Sequence, residues 1–208
     1  MYLFIVIVMI GYLVGCINGS QIIGKFKQIN IKQSGMKNAG ATNTTLVLGW
    51  RYGFIVAFID VIKATLSLAI TAFILSYYNV MFETAVLLLY VNAMAVVVGH
   101  NYPITMSFKG GKGTASLFGI LLYFDWKFAV TGLFILLIFA FMTNYFVIGT
   151  FVLYLSFIIY TAYTFGGGTT YVAFLLTVLF LVKHTENFRR ILNKEEMKLS
   201  TLFRREAS

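Results

Sequence analysis

The sequence predicts an all-α integral membrane protein with about seven transmembrane helices. Its 208 residues are 60% hydrophobic and only 11% charged, whereas soluble domains contain roughly a quarter charged residues. Apolar runs recur along the whole chain, and a spanning helix needs about 20 such residues. These features exclude a soluble globular class, and we expect one polytopic membrane domain over residues 1–208.

The candidate transmembrane helices are the apolar runs. These cover about 2–23, 53–77, 82–98, 114–124, 128–142, 146–164 and 171–182, and several are short for a spanning helix. The first run lacks a basic segment before its apolar core, so we expect a first span there and not a cleaved signal peptide. The one cysteine, Cys16, allows no intramolecular disulfide.

Basic residues predict the orientation of these helices. The chain has 16 Lys and Arg against 7 Asp and Glu, and the basic residues concentrate in the first loop, the third loop and the tail, residues 183–208. The positive-inside rule makes these segments cytoplasmic, so the N-terminus is expected outside and the C-terminus inside. The tail, with Lys194, Lys198, Arg204 and Arg205, is expected as a helix on the anionic inner leaflet or as a solvated tail. No nucleic-acid partner is expected for so apolar a chain.

Two polar, glycine-rich loops interrupt the apolar pattern. The first polar loop, residues 30–49, holds Asn38, Gly40, Thr42 and Asn43, and the second polar loop, residues 99–114, reads GHNYPITMSFKGGKGT. Polar backbone beside a membrane must be buried in protein or line a wet cavity. A third polar group, residues 183–187, directly follows the last predicted span. All three lie on the predicted cytoplasmic side, where they are expected to form one site.

The second polar loop carries a pattern that favours an anion. Glycines let backbone N–H groups approach a phosphate, and a helix N-terminus and lysines add positive charge. The residues in question are Lys109, Gly110, Gly111, Lys112 and Gly113. A Walker A loop is excluded because Met106 stands where its first glycine would be. The alternative interpretation is a flexible loop with two lysines that snorkel toward water.

The histidines and the charges inside a span are further candidates. His100 and His184 each lie near the end of an apolar run, where either could act as a general base, orient a substrate, or be structural. Asp60 and Lys63 share one face of the second span and form either an ion pair or part of a functional site. With one Cys and two His in the chain, we expect no metal site and no cofactor.

These motifs resemble the signatures of the bacterial acyl-phosphate:glycerol-3-phosphate acyltransferases. The most specific match is to the second signature: Gly99-His100-Asn101-Tyr102-Pro103, then Phe108-Lys109-Gly110-Gly111-Lys112-Gly113. The end of the first signature is resembled by Asn38 and Gly40-Ala41-Thr42-Asn43, and the third by His184, Asn187, Arg190, Leu192 and Glu196. Asp60-Val61-Ile62-Lys63 resembles the family's Asp-x-x-Lys in the second helix. Motif order and hydropathy agree over nearly the whole chain.

The resemblance implies the first acylation of phospholipid synthesis in the bacterial cell membrane. An acyl group moves from acyl phosphate to the 1-hydroxyl of glycerol 3-phosphate and gives lysophosphatidic acid. The implied partners are these two substrates, membrane lipid and the soluble or peripheral enzyme that makes acyl phosphate. Because acyl phosphate is a mixed anhydride and already activated, positioning and stabilisation of oxyanion charge can carry much of the catalysis.

The resemblance also implies a role for each candidate residue. Phosphate groups are assigned to Lys109, Lys112 and the backbone of Gly110, Gly111 and Gly113, with Gly40 beside them. Substrate hydrogen bonds are assigned to Asn38, Thr42 and Asn43. Orientation of the reacting groups is assigned to Asn187 with His100 or His184, and support of the site to Asp60, Lys63, Arg190 and Glu196.

Departures from the family pattern leave two other function classes open. Met36 falls where a serine is expected unless Ser34 replaces it, and Leu46 falls where an arginine is usual unless Arg51 or Lys37 supplies the charge. These differences are also compatible with a catalytically silent or substrate-shifted paralogue that binds lipid or glycerol phosphate. A small transporter would need charges near mid-membrane, for which Asp60 and Lys63 are the candidates.

Overall fold

Residues 1–204 are described by a computed structural model, and the regular elements within them are helical. Two 3₁₀ turns, Ile31–Gln33 and Ile104–Met106, lie in the polar loops. The α-helices are α1 (Tyr2–Gly15), α2 (Gly19–Phe26), α3 (Ala41–Leu48), α4 (Trp50–Tyr77), α5 (Phe82–Asn101), α6 (Thr114–Phe124), α7 (Trp126–Thr143), α8 (Phe146–Thr164), α9 (Gly167–Leu192) and α10 (Leu199–Arg204).

The helices confirm the all-α membrane class. Within the described residues, 6 helical segments are long and apolar enough to cross a membrane: Tyr2–Phe26, Trp50–Tyr77, Phe82–Met106, Trp126–Thr143, Phe146–Thr164 and Gly167–Leu192. Helix α6 is apolar but has only 11 residues. The count of seven spans and the orientation of the termini therefore stay predictions.

The last helix is longer than its apolar run. Helix α9 continues to Leu192, so His184 and Asn187 lie on its buried face and not in a tail beyond the span. Arg189 and Arg190 occupy its last turn, where cations complement the helix dipole. The polar buried face is the reason that hydropathy ended this helix too early. Of the predicted basic tail, Arg205 lies outside the described residues.

The chain divides into two compact units, Met1–Phe124 and a second unit that begins at Asp125. In the first unit, α1 packs on α5 through glycines. A Cβ atom added to Gly15 would collide with the carbonyl oxygen of Val96, and one added to Gly99 would collide with that of Tyr12. Small residues therefore allow the two backbones to touch, which is how membrane helices often pack.

A break between α1 and α2 leaves backbone groups in the first unit open to contact with other helices. The Asn18 side chain caps α2 by accepting hydrogen bonds from the N–H groups of Ser20 at 3.0 Å and Gln21 at 3.3 Å. Asn, Gly and Ser in succession favour a helix start. Because the α-helical ladder is interrupted here, backbone groups of Ile17 and Gly19 are available to side chains of other helices.

The second unit contains α7, α8, α9 and α10. The turn between α7 and α8 places Asn144 in the left-handed region, with a φ of 63°. Its backbone carbonyl accepts from the N–H of Leu199 at 2.8 Å, and its side-chain oxygen accepts from the N–H of Ser200 at 2.9 Å. Asn144 therefore anchors the segment that follows α9.

Candidate functional site

Asp60, Lys63 and His100 form a buried group in the first unit, called here the ionic cluster. The Lys63 ammonium donates to the Ile17 carbonyl at 2.5 Å, to Asp60 Oδ1 at 2.7 Å and to His100 Nδ1 at 2.8 Å. The three side chains are only 2–4% exposed. An ammonium has three N–H donors, and each has an acceptor here. The cluster therefore joins α4 and α5 to the break between α1 and α2.

The ionic cluster favours one tautomer of His100. Its Nδ1 lies 2.8 Å from Lys63 Nζ and 3.5 Å from Asp60 Oδ1. Because a charged ammonium can only donate and is the nearer group, Nδ1 accepts from it and the proton of the neutral ring lies on Nε2. Nε2 lies against Gly111, since a Cβ atom added to Gly111 would collide with it. The cluster therefore holds a hydrogen-bond donor against the glycines of the second polar loop.

The glycines of the second polar loop fold back onto α5. Gly110 donates its N–H to the Asn101 carbonyl at 3.1 Å, and Gly111 donates to the His100 carbonyl at 3.1 Å. These bonds satisfy carbonyl groups at the end of α5. The two N–H groups are therefore committed within the protein, and direct phosphate binding is better assigned to the remainder of the loop. There, Lys109 is exposed, Lys112 is half-buried, and Gly113 has a φ of 87° just before α6.

Asn43 organises the first polar loop. Its side-chain NH₂ group donates to the carbonyls of Ile31 at 2.8 Å, Ser34 at 3.0 Å and Asn38 at 2.8 Å. Its oxygen accepts from the N–H of Met36 at 2.7 Å, and the residue is fully buried. The amide of Asn43 is thus engaged with its own loop, which favours a role in shaping the loop over the direct substrate contact expected from the sequence.

The two loops and the ionic cluster meet in the first unit. A Cβ atom on Gly111 would lie 2.8 Å from the Ala39 carbonyl as well as against His100. Ala39 is flanked by Asn38 and Gly40, both half-buried, and Gly40 is the N-cap residue of α3. Thr42 follows in the first turn of α3, also half-buried. The predicted residues of the first and second signatures therefore lie together.

The structure also shows the contacts of the positions that depart from the family pattern. Met36 engages Asn43 only through its backbone N–H, a group that any residue except proline supplies. The Ser34 hydroxyl donates to the Asn30 carbonyl at 3.1 Å. Leu46 is half-buried in α3, and exposed Arg51 stacks over Trp50 at 5.9 Å. None of these substitutions disturbs the hydrogen bonds of Asn43.

In the second unit, Asn187, Arg190 and Glu196 form a group called here the α9 clamp. Glu196 accepts from Asn187 Nδ2 at 2.6 Å and from Arg190 Nε at 2.7 Å. Arg190 also approaches Glu186 at 3.6 Å. Since one carboxylate bridges both side chains, the segment after α9 fixes the orientation of the Asn187 amide.

His184 has the opposite tautomer from His100. Its Nδ1 lies 3.0 Å from the Phe180 carbonyl, which can only accept, so Nδ1 carries the proton and Nε2 carries the lone pair in the neutral ring. His184 is buried and its ring lies 4.2 Å from that of Phe180. The neutral rings of the two histidines therefore differ in tautomer, with the proton on Nε2 in His100 and on Nδ1 in His184.

Sequence reasoning missed the contribution of the α1–α2 break. Gly19 donates its N–H to Asp60 Oδ1 at 3.4 Å, and the Ile17 carbonyl accepts from Lys63. Both are backbone groups, which no side-chain motif reveals. The succession Asn18, Gly19 and Ser20, which is typical of a helix N-cap, was the available signal.

Comparison with known proteins identifies close relatives. Residues 5–194 match the family model described as glycerol-3-phosphate acyltransferase. The chain is 46% identical to glycerol-3-phosphate acyltransferase 1 of Oceanobacillus iheyensis, with 99% of both chains covered. It is 34% identical to glycerol-3-phosphate acyltransferase 2 of Thermotoga maritima, over 94% of this chain and 96% of the relative.

Solved structures of similar fold support the same relationship. The crystal structure of PlsY (YgiH), an integral membrane glycerol 3-phosphate acyltransferase, in its glycerol 3-phosphate form matches with a TM-score of 0.83 and 26% identity. The match covers 96% of this chain and 98% of that one. The lysophosphatidic acid form of the same protein matches with a TM-score of 0.82 and 25% identity.

Proposed function

This chain belongs to the glycerol-3-phosphate acyltransferase family, and we propose that it transfers a fatty acyl group from acyl phosphate to the 1-hydroxyl of glycerol 3-phosphate. It is a multi-pass membrane acyltransferase whose named relatives are bacterial. The product is lysophosphatidic acid, the first acylated intermediate of phospholipid synthesis. The observation that carries the proposal is the second-signature loop, which is folded onto His100 and held by the ionic cluster.

The proposed reaction is a simple acyl transfer. The 1-hydroxyl oxygen attacks the carbonyl carbon of acyl phosphate, a C–O bond forms, and the bond from that carbon to the phosphate oxygen breaks. Inorganic phosphate leaves and the hydroxyl proton is lost, with the leaving phosphate as one acceptor. The chain's contribution is to position the reactants and to stabilise negative charge, which can supply much of the rate.

Roles follow from the chemistry of each side chain. Lys109 and Lys112 supply positive charge for phosphate groups, and the N–H of Gly113 at the start of α6 adds a backbone donor. His100 offers Nε2–H as a hydrogen-bond donor, while the Nε2 lone pair of His184 suits a proton acceptor or a hydroxyl partner. The clamped amide of Asn187 suits the orientation of a substrate. Asn38 and Thr42 remain the proposed substrate hydrogen-bond residues of the first loop.

The identity of the acyl donor is a separate part of the proposal, and we assign acyl phosphate to this role. The part of the chain that the structure describes offers no Ser-His-Asp arrangement among the candidate residues, and an activated mixed anhydride needs none. The enzyme that produces acyl phosphate is the proposed partner, since a lipid-soluble product is best transferred at the membrane surface. No specific observation favours the silent or substrate-shifted paralogue, because Met36 contributes only a backbone group to the loop.

A donor comparison tests the proposal. Membranes containing the protein are given glycerol 3-phosphate with either palmitoyl phosphate or palmitoyl-CoA, and lysophosphatidic acid is measured. We expect product from palmitoyl phosphate alone, with a loss of at least about a hundredfold in Lys112→Ala, because a charged phosphate contact is removed. Lys127→Ala is the matched control, since Lys127 is an exposed lysine at the start of α7 beside Trp126.

Three outcomes would each contradict a part of this proposal. Full turnover by Lys112→Ala would remove Lys112 from the phosphate site. Absence of product from both donors, with the wild-type protein folded in the membrane, would instead support the silent paralogue. Product from palmitoyl-CoA alone would leave the acyltransferase intact and overturn only the acyl-phosphate donor.

A further inference from the structure

A pocket of about 430 Å³, lined by both polar and apolar residues, lies in the first unit, outside the residues assigned to acyl transfer. Its walls come from α2, from the chain that leads from α2 into the first 3₁₀ turn, from that turn itself, and from the second polar loop at Met106 and Ser107. The polar lining includes Gln21, Lys25, Gln28, Asn30, Lys32 and Ser107. None of the predicted site residues lines it.

The charge of this pocket favours an anion. Lys25 and Lys32 line it, and no acidic residue is among its lining residues. The sequence from 1 to 124 contains only two carboxylates, Asp60 and Glu83. Asp60 is paired with Lys63, and Glu83 lies in the first turn of α5, at the opposite end of that helix from the second polar loop. The positive charge of the pocket is thus not balanced by any acidic residue in its walls.

The face of α2 next to the one that lines the pocket is apolar and exposed. On α2, Ile22 is 46% and Phe26 is 77% exposed, one helical turn apart. Gln21 and Lys25 occupy the neighbouring face, with the same spacing, and line the pocket. The candidate span Tyr2–Phe26 ends on this helix, which places the pocket at the boundary of the hydrocarbon by length. A ligand with a phosphate group and apolar chains would satisfy both faces.

We propose that this pocket binds the phosphate headgroup of an anionic phospholipid. The headgroup lies between Lys25 and Lys32, with its acyl chains along Ile22 and Phe26. The same pocket contacts the second polar loop: Lys32 Nζ donates to the Met106 carbonyl at 3.4 Å, and Gln21 donates to that of Thr105 at 3.2 Å. Bound lipid would therefore brace the loop that carries Lys109 and Lys112.

Native mass spectrometry of the full chain in detergent, titrated with phosphatidylglycerol or phosphatidylcholine, tests the proposal. We expect the wild type to prefer phosphatidylglycerol. The double variant Lys25→Gln and Lys32→Gln should lose about 25-fold in phosphatidylglycerol affinity, since each lysine near an anionic headgroup is worth roughly fivefold. Lys27→Gln is the matched control, because Lys27 lies next to α2 but stacks over Tyr52 at 4.6 Å and does not line the pocket.

The single variant Lys25→Gln distinguishes a loss of lipid binding from misfolding of the double variant, because Lys25 is exposed and its replacement should not disturb the fold. It should keep the wild-type thermal unfolding without lipid and still lose about fivefold in affinity. Equal phosphatidylglycerol binding by the wild type and both variants would overturn the proposal, as would an equal loss in Lys27→Gln. A third arm uses inorganic phosphate. If it displaces phosphatidylglycerol and binds in a Lys25-dependent way, the pocket is a free-phosphate site and the lipid assignment is wrong.

Discussion

The ionic cluster of the first unit and the α9 clamp of the second are each built around one carboxylate, but only the second is partly exposed. Asp60, Lys63 and His100 are 2–4% exposed. In the clamp, the Glu196 side chain is 10% and that of Arg190 is 30% exposed, and the nearby Glu186 is 81% exposed. Both groups orient a candidate site residue, His100 in one and Asn187 in the other.

This difference predicts how each group responds to substitution. A buried ion pair contributes little net stability, but removal of one partner leaves an uncompensated charge that is costly. A partly exposed pair is partly screened by solvent, and its loss costs less. The ionic cluster should therefore be sensitive to single substitutions and tolerant of a matched double one, whereas the α9 clamp should show no such contrast.

Lys63→Ala is expected to have the largest effect. It leaves Asp60 as a buried carboxylate without its cation and removes the donor that holds His100, so the free energy of unfolding should fall by about 3–5 kcal/mol. Unfolding of the purified protein in mixed micelles measures this. The double variant Asp60→Asn with Lys63→Met should recover most of the stability but not the activity, because His100 then lacks its donor. A double variant as unstable as Lys63→Ala would show that the Ile17 contact dominates.

Asn43→Ala tests whether burial or charge determines the loss in the free energy of unfolding. Asn43 is as buried as the ionic cluster but neutral, and its loss leaves the carbonyls of Ile31 and Asn38 and the N–H of Met36 without their partner. We expect a loss of about 2–3 kcal/mol. Thr42→Ala, at the half-buried neighbouring position, is the control for stability and should change it much less. If Asn43→Ala matches Lys63→Ala, burial alone explains both.

The contrast between these two residues also shows what the sequence could predict. Asp60 and Lys63 share a helix face three residues apart, so their pairing follows from helix geometry alone. Their contact with His100 depends on how α4 and α5 pack and on the break that frees the Ile17 carbonyl. Likewise, the sequence placed Asn43 in a polar loop. Whether its amide binds a substrate or the backbone of its own loop depends on the backbone conformation, which the sequence does not show.

Helix boundaries also divide into those that the local sequence determines and those that depend on tertiary contacts. The apolar runs located the long helices because hydropathy is a property of the sequence. Helix α9 extended beyond its run because His184 and Asn187 are buried by tertiary contacts. The glycines of the second polar loop were predicted to let backbone N–H groups approach a phosphate closely, and they are closely packed. Their N–H groups approach α5, however, and sequence alone cannot distinguish a carbonyl from a phosphate as the partner.

Glu196→Gln is expected to cost about 1–2 kcal/mol, because the amide keeps an acceptor but loses the charge that attracts Arg190. The more specific readout is the Michaelis constant for glycerol 3-phosphate compared with turnover. If the clamp positions Asn187 for substrate, the variant should change one of these constants even at temperatures where it is fully folded. Kinetics identical to the wild type would assign the clamp a purely structural role.

Glu186→Gln should have the smallest effect and completes the comparison. Glu186 lies 3.6 Å from Arg190 and is 81% exposed, so this exposed ion pair should contribute less than about 0.5 kcal/mol and weaken further with added salt. Because Arg190 has a nearer partner in Glu196 at 2.7 Å, its orientation does not depend on Glu186. A loss comparable to that of Glu196→Gln, measured in the same unfolding assay, would mean that membrane or lipid shields this end of α9 from water. Exposure to bulk solvent would then no longer explain the difference between the two clusters.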